Sequence, residues 1–208
     1  CELRDGVALI TLNRPEKLNS FDAQMAQEFI HALDDAKADK AVRAVVITGE
    51  GRAFSAGQEL AEATAPGVRI EDLVEQQYNA IVRRIRQMPK PVIAAVNGVA
   101  AGAGANIAYA CDLAFAAESA NFIQSFIHIG LIPDSGGTHT LPRLVGMQRA
   151  FGQMILAEKL PASKAAELGM IWKAVPDEDL MKEVLAVATK LATMPTKGIA
   201  LTKQALNN

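Results

Sequence analysis

Pro91-Val92-Ile93-Ala94-Ala95-Val96-Asn97-Gly98-Val99-Ala100-Ala101-Gly102-Ala103-Gly104-Ala105-Asn106-Ile107-Ala108-Tyr109-Ala110-Cys111-Asp112-Leu113-Ala114-Phe115-Ala116-Ala117 is the stretch whose reading decides the fold. Asp112 is its one charge, and about 20 apolar residues suffice to cross a membrane. Asn97, Asn106, and the close-set Gly98, Gly102 and Gly104 argue against a span. The run reads instead as a buried strand (Val92–Val96), a turn at Asn97-Gly98, a Gly-rich turn, a buried helix (103–111) and a second strand (113–116). Strand, helix and strand in that order mark an α/β layered protein.

The same alternation extends upstream. Gly6–Leu12 is β-type and ends at Asn13-Arg14-Pro15. Ser20-Phe21-Asp22 offers a helix start, with Phe21, Met25, Phe29, Ala32, Leu33 and Ala36 at helical spacing. Val42–Thr48 is a β-branched strand broken by Gly49-Glu50-Gly51. Residues 52–60 read as a turn leading toward a helix, 61–67 as polar and mobile, and 70–88 as one long amphipathic helix stopped by Pro89 and Pro91. Downstream, 121–126 is a short strand and 130–137 a loop. Helices are expected over 138–145, 148–157, 163–168, 177–192 and 195–206, with a strand at 171–175.

Composition narrows the function classes. Half of the 208 residues are hydrophobic and 21% are charged, which allows a real core and excludes wholesale disorder. Twenty-one basic against 23 acidic residues, with 5% aromatics, leave neither a basic footprint nor a base-stacking surface for nucleic acid. Two cysteines, Cys1 and Cys111, make no disulfide scaffold and suit a reducing, cytoplasmic compartment. No charged leader precedes an apolar run. The chain starts at Cys1 rather than Met, and its ends are expected to be missing.

Three loops could carry chemistry. Ala53–Leu60 contains Gly57, which lets backbone approach a ligand, and opens a helix whose first N–H groups suit an anion. Val99–Asn106 is a second such turn. If the two face each other, their N–H groups form an oxyanion hole; taken singly, small residues more often serve packing. The third loop, Gly130–Thr138, places Asp134 in apolar surroundings. Asp is a good helix N-cap, and local sequence favours that role. The rival role is a desolvated base with a raised pKa. His31, His128 and His139 lack metal-ligand spacing, Ser55 and Ser135 sit in no GxSxG elbow, and Cys111 suits the core. Gly102-Ala103-Gly104 completes no dinucleotide fingerprint, and the Walker lysine is absent. No metal site is expected.

Five segments, in order, resemble the enoyl-CoA hydratase/isomerase (crotonase) superfamily. They are Leu12–Asn19, Phe54-Ser55-Ala56-Gly57, Lys90–Gly98, Ala110-Cys111-Asp112-Leu113 and Leu141–Gly146. The resemblance implies a spiral of ββα turns (1–145) holding a CoA-thioester site. A helical region (146–208) would close the pocket and build a homotrimer or a dimer of trimers. It implies an oxyanion hole from the N–H groups of Gln58 and Ala103, with the adenine of CoA near Ala56 and Gly57 and Lys17 at the CoA entrance. No separate cofactor is implied, coenzyme A being part of the acyl-CoA substrate.

Hydratases of this family carry two catalytic glutamates. Here those positions are Asn106 and Phe126, which argues against hydration. Gly130–Thr138 is similar to the phenylacetate-catabolism branch, whose members isomerise ring-1,2-epoxyphenylacetyl-CoA and shift double bonds in enoyl-CoA. That likeness makes Asp134 the expected catalytic residue. Phe122, Ile123 and Phe126, with Asn106, are expected to line the acyl pocket. A dehalogenase branch places an aspartate similarly but pairs it with a tryptophan, and the one tryptophan, Trp172, lies far downstream. A hydratase, or a non-catalytic assembly subunit, are the alternatives. Related chains usually extend past the 195–206 helix and are longer around 62–68, so the 208 residues are read as part of a longer chain.

Overall fold

Three of the apolar strands read from the sequence are each followed by a second, shorter strand and then by helix. In the computed structural model, which describes residues 1–207, β3 (Ala44–Gly49) leads to β4 (Ala53–Ser55), β5 (Val92–Val96) to β6 (Val99–Ala101), and β7 (Leu113–Ala117) to β8 (Asn121–Ile123). The first member of each pair joins one sheet and the second joins another. The larger sheet runs β1 (Glu2–Arg4), β2 (Val7–Leu12), β3, β5, β7, β10 (Lys173–Val175). The smaller runs β4, β6, β8, β9 (Leu160–Pro161). Pairing is parallel except at β1–β2 and β8–β9. This is the expected spiral of ββα turns.

The helices complete the turns. α1 (Ala23–Ala38) follows β2. The β4 connection holds α2 (Leu60–Ala63), α3 (Ile70–Leu73), a π-helical segment (Val74–Asn79) and α4 (Ala80–Gln87). α5 (Ala103–Ala110) follows β6, and α6 (Gly137–Val145) follows β8. Beyond them lie α7 (Met147–Leu156), α8 (Ala162–Glu167), α9 (Leu180–Thr193) and α10 (Thr196–Asn207).

The element boundaries follow from local chemistry. Asp22 accepts the Met25 N–H at 2.8 Å and so starts α1, which buries Phe29, Ile30 and Leu33. All five residues of β5 are buried, as befits a central parallel strand covered on both faces. α9 packs across β2, β3, β5 and β7. The α10 residue Lys203 reaches back to Asp112 at 2.7 Å, and Asp112 also accepts the Val92 N–H at 2.8 Å. No described helix is long and apolar enough to cross a membrane.

Several expectations need correction. The 70–88 helix is interrupted by the π segment, which buries Gln77 and Tyr78. The turn over 52–60 contains β4, the Gly-rich turn contains β6, and α2 occupies part of 61–67. Strand 121–126 stops at Ile123 and continues as a 3-10 turn, Ser125–Ile129. Strand 171–175 starts at Lys173, and β1 and β9 are additional. The strands β9 and β10 lie beyond residue 145, yet pair with strands from before it.

Candidate active site

The site is built where β4 and β6 end. These strands are parallel neighbours, so the turns that follow them leave the same edge side by side. Contact is close: a Cβ on Gly57, whose φ is +87°, would stand 2.8 Å from the Ala101 carbonyl oxygen and 3.2 Å from the Ala103 nitrogen. Only glycine fits there.

The chain around Gln58 is held on both sides. Phe21 donates its N–H to the Gly57 oxygen at 2.7 Å, and Glu59 donates to the Phe21 oxygen at 2.8 Å. Ser55 Oγ accepts the Gly57 N–H at 3.1 Å and donates to the Asn19 oxygen at 2.8 Å. Among the described residues no backbone acceptor takes the Gln58 N–H. Ala103 is the first residue of α5, so its N–H has no acceptor within the helix. Two free backbone donors therefore sit on adjacent turns.

Asp134 is half-buried, and burial pushes its carboxyl up to about 6, against a hydrogen bond from Ser135 Oγ at 2.8 Å that favours the ionised form. The N-cap role favoured by local sequence is wrong. α6 begins after Gly136, and no side chain caps it. Ser135 (φ +50°) and Gly136 (φ +71°) turn the chain left-handed, so Asp134 offers only its carbonyl oxygen to the Gly137 N–H at 2.8 Å.

Asn106, one turn into α5, joins the pieces. Its Nδ2 donates to the Asp134 carbonyl oxygen at 2.9 Å, and its Oδ1 accepts from Gln124 Nε2 at 2.9 Å. Asn106 is 1% exposed, and a Cβ on Gly137 would stand 2.4 Å from its Nδ2. Asn106 is thus a tie between α5 and the Asp134 loop, in place of the expected pocket wall. Gln124 escaped sequence reasoning. A polar residue just past a short strand, two positions from Phe122 and two from Phe126, was the available signal.

Phe122 also departs from expectation. It stacks on Tyr109 (centroids 5.4 Å apart, 28°) in the core, because neighbouring strand residues face opposite sides. Phe126 packs on the Ala103 turn, its ring 3.7 Å from where a Cβ on Gly102 would be, and Ile123 accepts the Gly102 N–H at 2.8 Å. Lys17 is exposed, with its Nζ 3.7 Å from Glu59. Ala56 donates to the Leu18 oxygen at 2.9 Å, which brings the Lys17 loop beside Gly57.

Tyr78, missed as a site residue because it fits the apolar stripe of its helix, donates to Gln58 Oε1 at 2.5 Å. Cys111 is buried, and burial pushes its thiol up, so it stays an inert core thiol. Arg83, Arg84 and Arg86 pair with Glu75, Asp34 and Asp112. Among the described residues no group of three His, Cys, Asp or Glu side chains is placed to hold a metal ion.

A ββα spiral with free N–H groups on two adjacent turns, and a carboxylate of raised pKa on a loop tied by Asn106 to the second of them, leads to one class. The enoyl-CoA hydratase/isomerase family matches residues 2–208, and the chain belongs to that family. It is similar to the 1,2-epoxyphenylacetyl-CoA isomerase of Escherichia coli, 47% identical over 98% of this chain and 79% of the relative. A Rhodobacter capsulatus protein named "Probable enoyl-CoA hydratase" is also 47% identical, over 99% of this chain and 79% of the relative. Among solved structures, an enoyl-CoA hydratase from Mycobacterium avium subsp. paratuberculosis superposes with a TM-score of 0.90 at 37% identity, covering 99% of this chain and 79% of that one.

Proposed function

We propose that this enzyme isomerises CoA thioesters through an enolate, with Asp134 as the single acid–base group. The observation that carries this reading is the Asp134 carboxyl, half-buried and raised to about 6, on a loop tied by Asn106 to the helix that starts at Ala103. The N–H groups of Gln58 and Ala103 receive the thioester oxygen as it gains charge. Asp134 takes a proton from one carbon and returns it to another. One carboxylate suffices, because the proton is conserved and no water is added. Hydration needs a second acid–base group, and Asn106 and Phe126 can be neither.

Lys17, Ala56 and Gly57 form the CoA side of the site, and Phe126 and Ile123 its acyl side. The likeness to the Escherichia coli isomerase supports ring-1,2-epoxyphenylacetyl-CoA as a substrate, converted to its oxepin form, beside 3-enoyl-CoA converted to 2-enoyl-CoA. That would place the enzyme in phenylacetate catabolism, in the cytoplasm. The likeness to a protein named as a hydratase favours the second reading, hydration of 2-enoyl-CoA. Met147, Phe151 and Ile155 lie exposed on one face of α7, which supports assembly into a homotrimer or a dimer of trimers.

An ultraviolet assay separates the two activities. Conversion of 3-enoyl-CoA to the conjugated 2-enoyl-CoA, with no later loss of that absorbance, is the expected result. Rapid hydration of 2-enoyl-CoA overturns the isomerase reading. No activity on any CoA thioester leaves the non-catalytic subunit.

A further inference from the structure

The hydrogen bond between Tyr78 and Gln58 lies outside the machinery described so far. Gln58 is fixed by its side chain as well as by its chain neighbours. Its Oε1 accepts from the Tyr78 hydroxyl at 2.5 Å, and its Nε2 donates to the Glu59 oxygen at 3.1 Å and to Glu62 at 3.3 Å. Among the described residues its N–H has no backbone partner and stays free to donate.

Tyr78 is itself immobile. It is fully buried, with its ring edge-on to Phe21 at 6.0 Å and 78°. Phe21 supplies the main-chain bonds on either side of Gln58, so one residue braces both the backbone and the phenol that hold this position. The phenol comes from the π segment, and widened turns of this kind recur at functional sites. Burial, and the charges of Asp134 and Glu62, hold its pKa well above the ordinary value. It therefore remains a donor throughout the working pH range.

We propose that Tyr78 is a positioning residue, which fixes Gln58 so that its N–H stays aimed with that of Ala103 at the thioester oxygen. The inference rests on the proposed thioester chemistry. It predicts that loss of the hydroxyl weakens the oxygen site without weakening CoA binding.

The test combines steady-state kinetics with the infrared carbonyl band of a bound saturated acyl-CoA carrying ¹³C at the thioester carbon. In Tyr78→Phe, kcat on 3-enoyl-CoA should fall about ten- to a hundredfold, with KM changed by less than about twofold. The carbonyl band, lowered in the unaltered enzyme, should move back toward its position in water. Gln58→Leu keeps the tyrosine and the backbone, and should give the same band change. The double variant should lose no more than the worse single one. Either single variant with unaltered kcat and band overturns the proposal, while the unaltered enzyme's band remains lowered. A band in the unaltered enzyme that stays at its aqueous position overturns the thioester reading itself.

Discussion

The Asn106 side chain donates to the main-chain oxygen of Asp134 at 2.9 Å, so a buried residue of α5 fixes the backbone of the loop that bears the carboxylate. Gln124 supports the arrangement from the position just after β8, donating to Asn106 at 2.9 Å. Asn106→Ala leaves the Asp134 carbonyl and the buried Gln124 amide without these partners. The expected losses are about 1–3 kcal/mol of stability and about tenfold or more in kcat. Denaturant titration and steady-state kinetics measure both.

The raised pKa of Asp134 gives a pH dependence with a definite sign. A base must be ionised to take a proton, so kcat/KM should rise with pH through about 6 and then level off. Stability runs the other way. The folded-state pKa lies above the ordinary 3.8, so the folded protein holds this proton more tightly. Stability from this group is full below pH 3.8 and is lost as pH rises through about 6. Above that range Asp134→Asn should be more stable than the unaltered enzyme, by up to about 3 kcal/mol. Thermal unfolding at pH 5 and pH 8 checks the sign.

Legibility in the sequence followed the length and chemistry of each segment. Val92–Val96 and Ala103–Ala110 were readable, because a β-branched run and a small-residue helix separate cleanly at glycine. β4 and β6 were hidden, since Ala53–Ser55 and Val99–Ala101 are three residues each and are held by neighbours from elsewhere in the chain. The fate of Asp134 turned on left-handed backbone at Ser135 and Gly136, which no residue pattern announces. The two Gly-rich turns marked themselves through their glycines and helix starts, but Gln58 and Ala103 were singled out within them only through the family resemblance. Tyr78 could not, because a tyrosine on an apolar stripe reads as core until its hydroxyl finds a partner.

Gly57 tests the oxygen site without touching the base. Its φ of +87° and the 2.8 Å approach of a Cβ to the Ala101 oxygen leave no room for alanine. Gly57→Ala should push the β4 turn away from Ala103. The expected result is a loss of about 1–3 kcal/mol of stability and about a hundredfold in kcat. The pH at which activity half-appears should stay the same.

The α7 face offers a separate check on assembly. Phe151 is 60% exposed and Met147 72% exposed, four residues apart on one helix. Phe151→Glu should shift sedimentation from the proposed trimer or hexamer toward the monomer. An unaltered sedimentation coefficient would show that this face is not the contact.

The most direct test of the account is the turnover of Asp134→Asn on 3-enoyl-CoA, measured beside its affinity for a saturated acyl-CoA. Asparagine keeps the shape, removes the base and adds no charge. The account predicts that kcat falls by at least about a hundredfold, with the dissociation constant unchanged within about threefold and a fold at least as stable at pH 7.5. A variant that binds and still turns over within about threefold of the unaltered rate would contradict it.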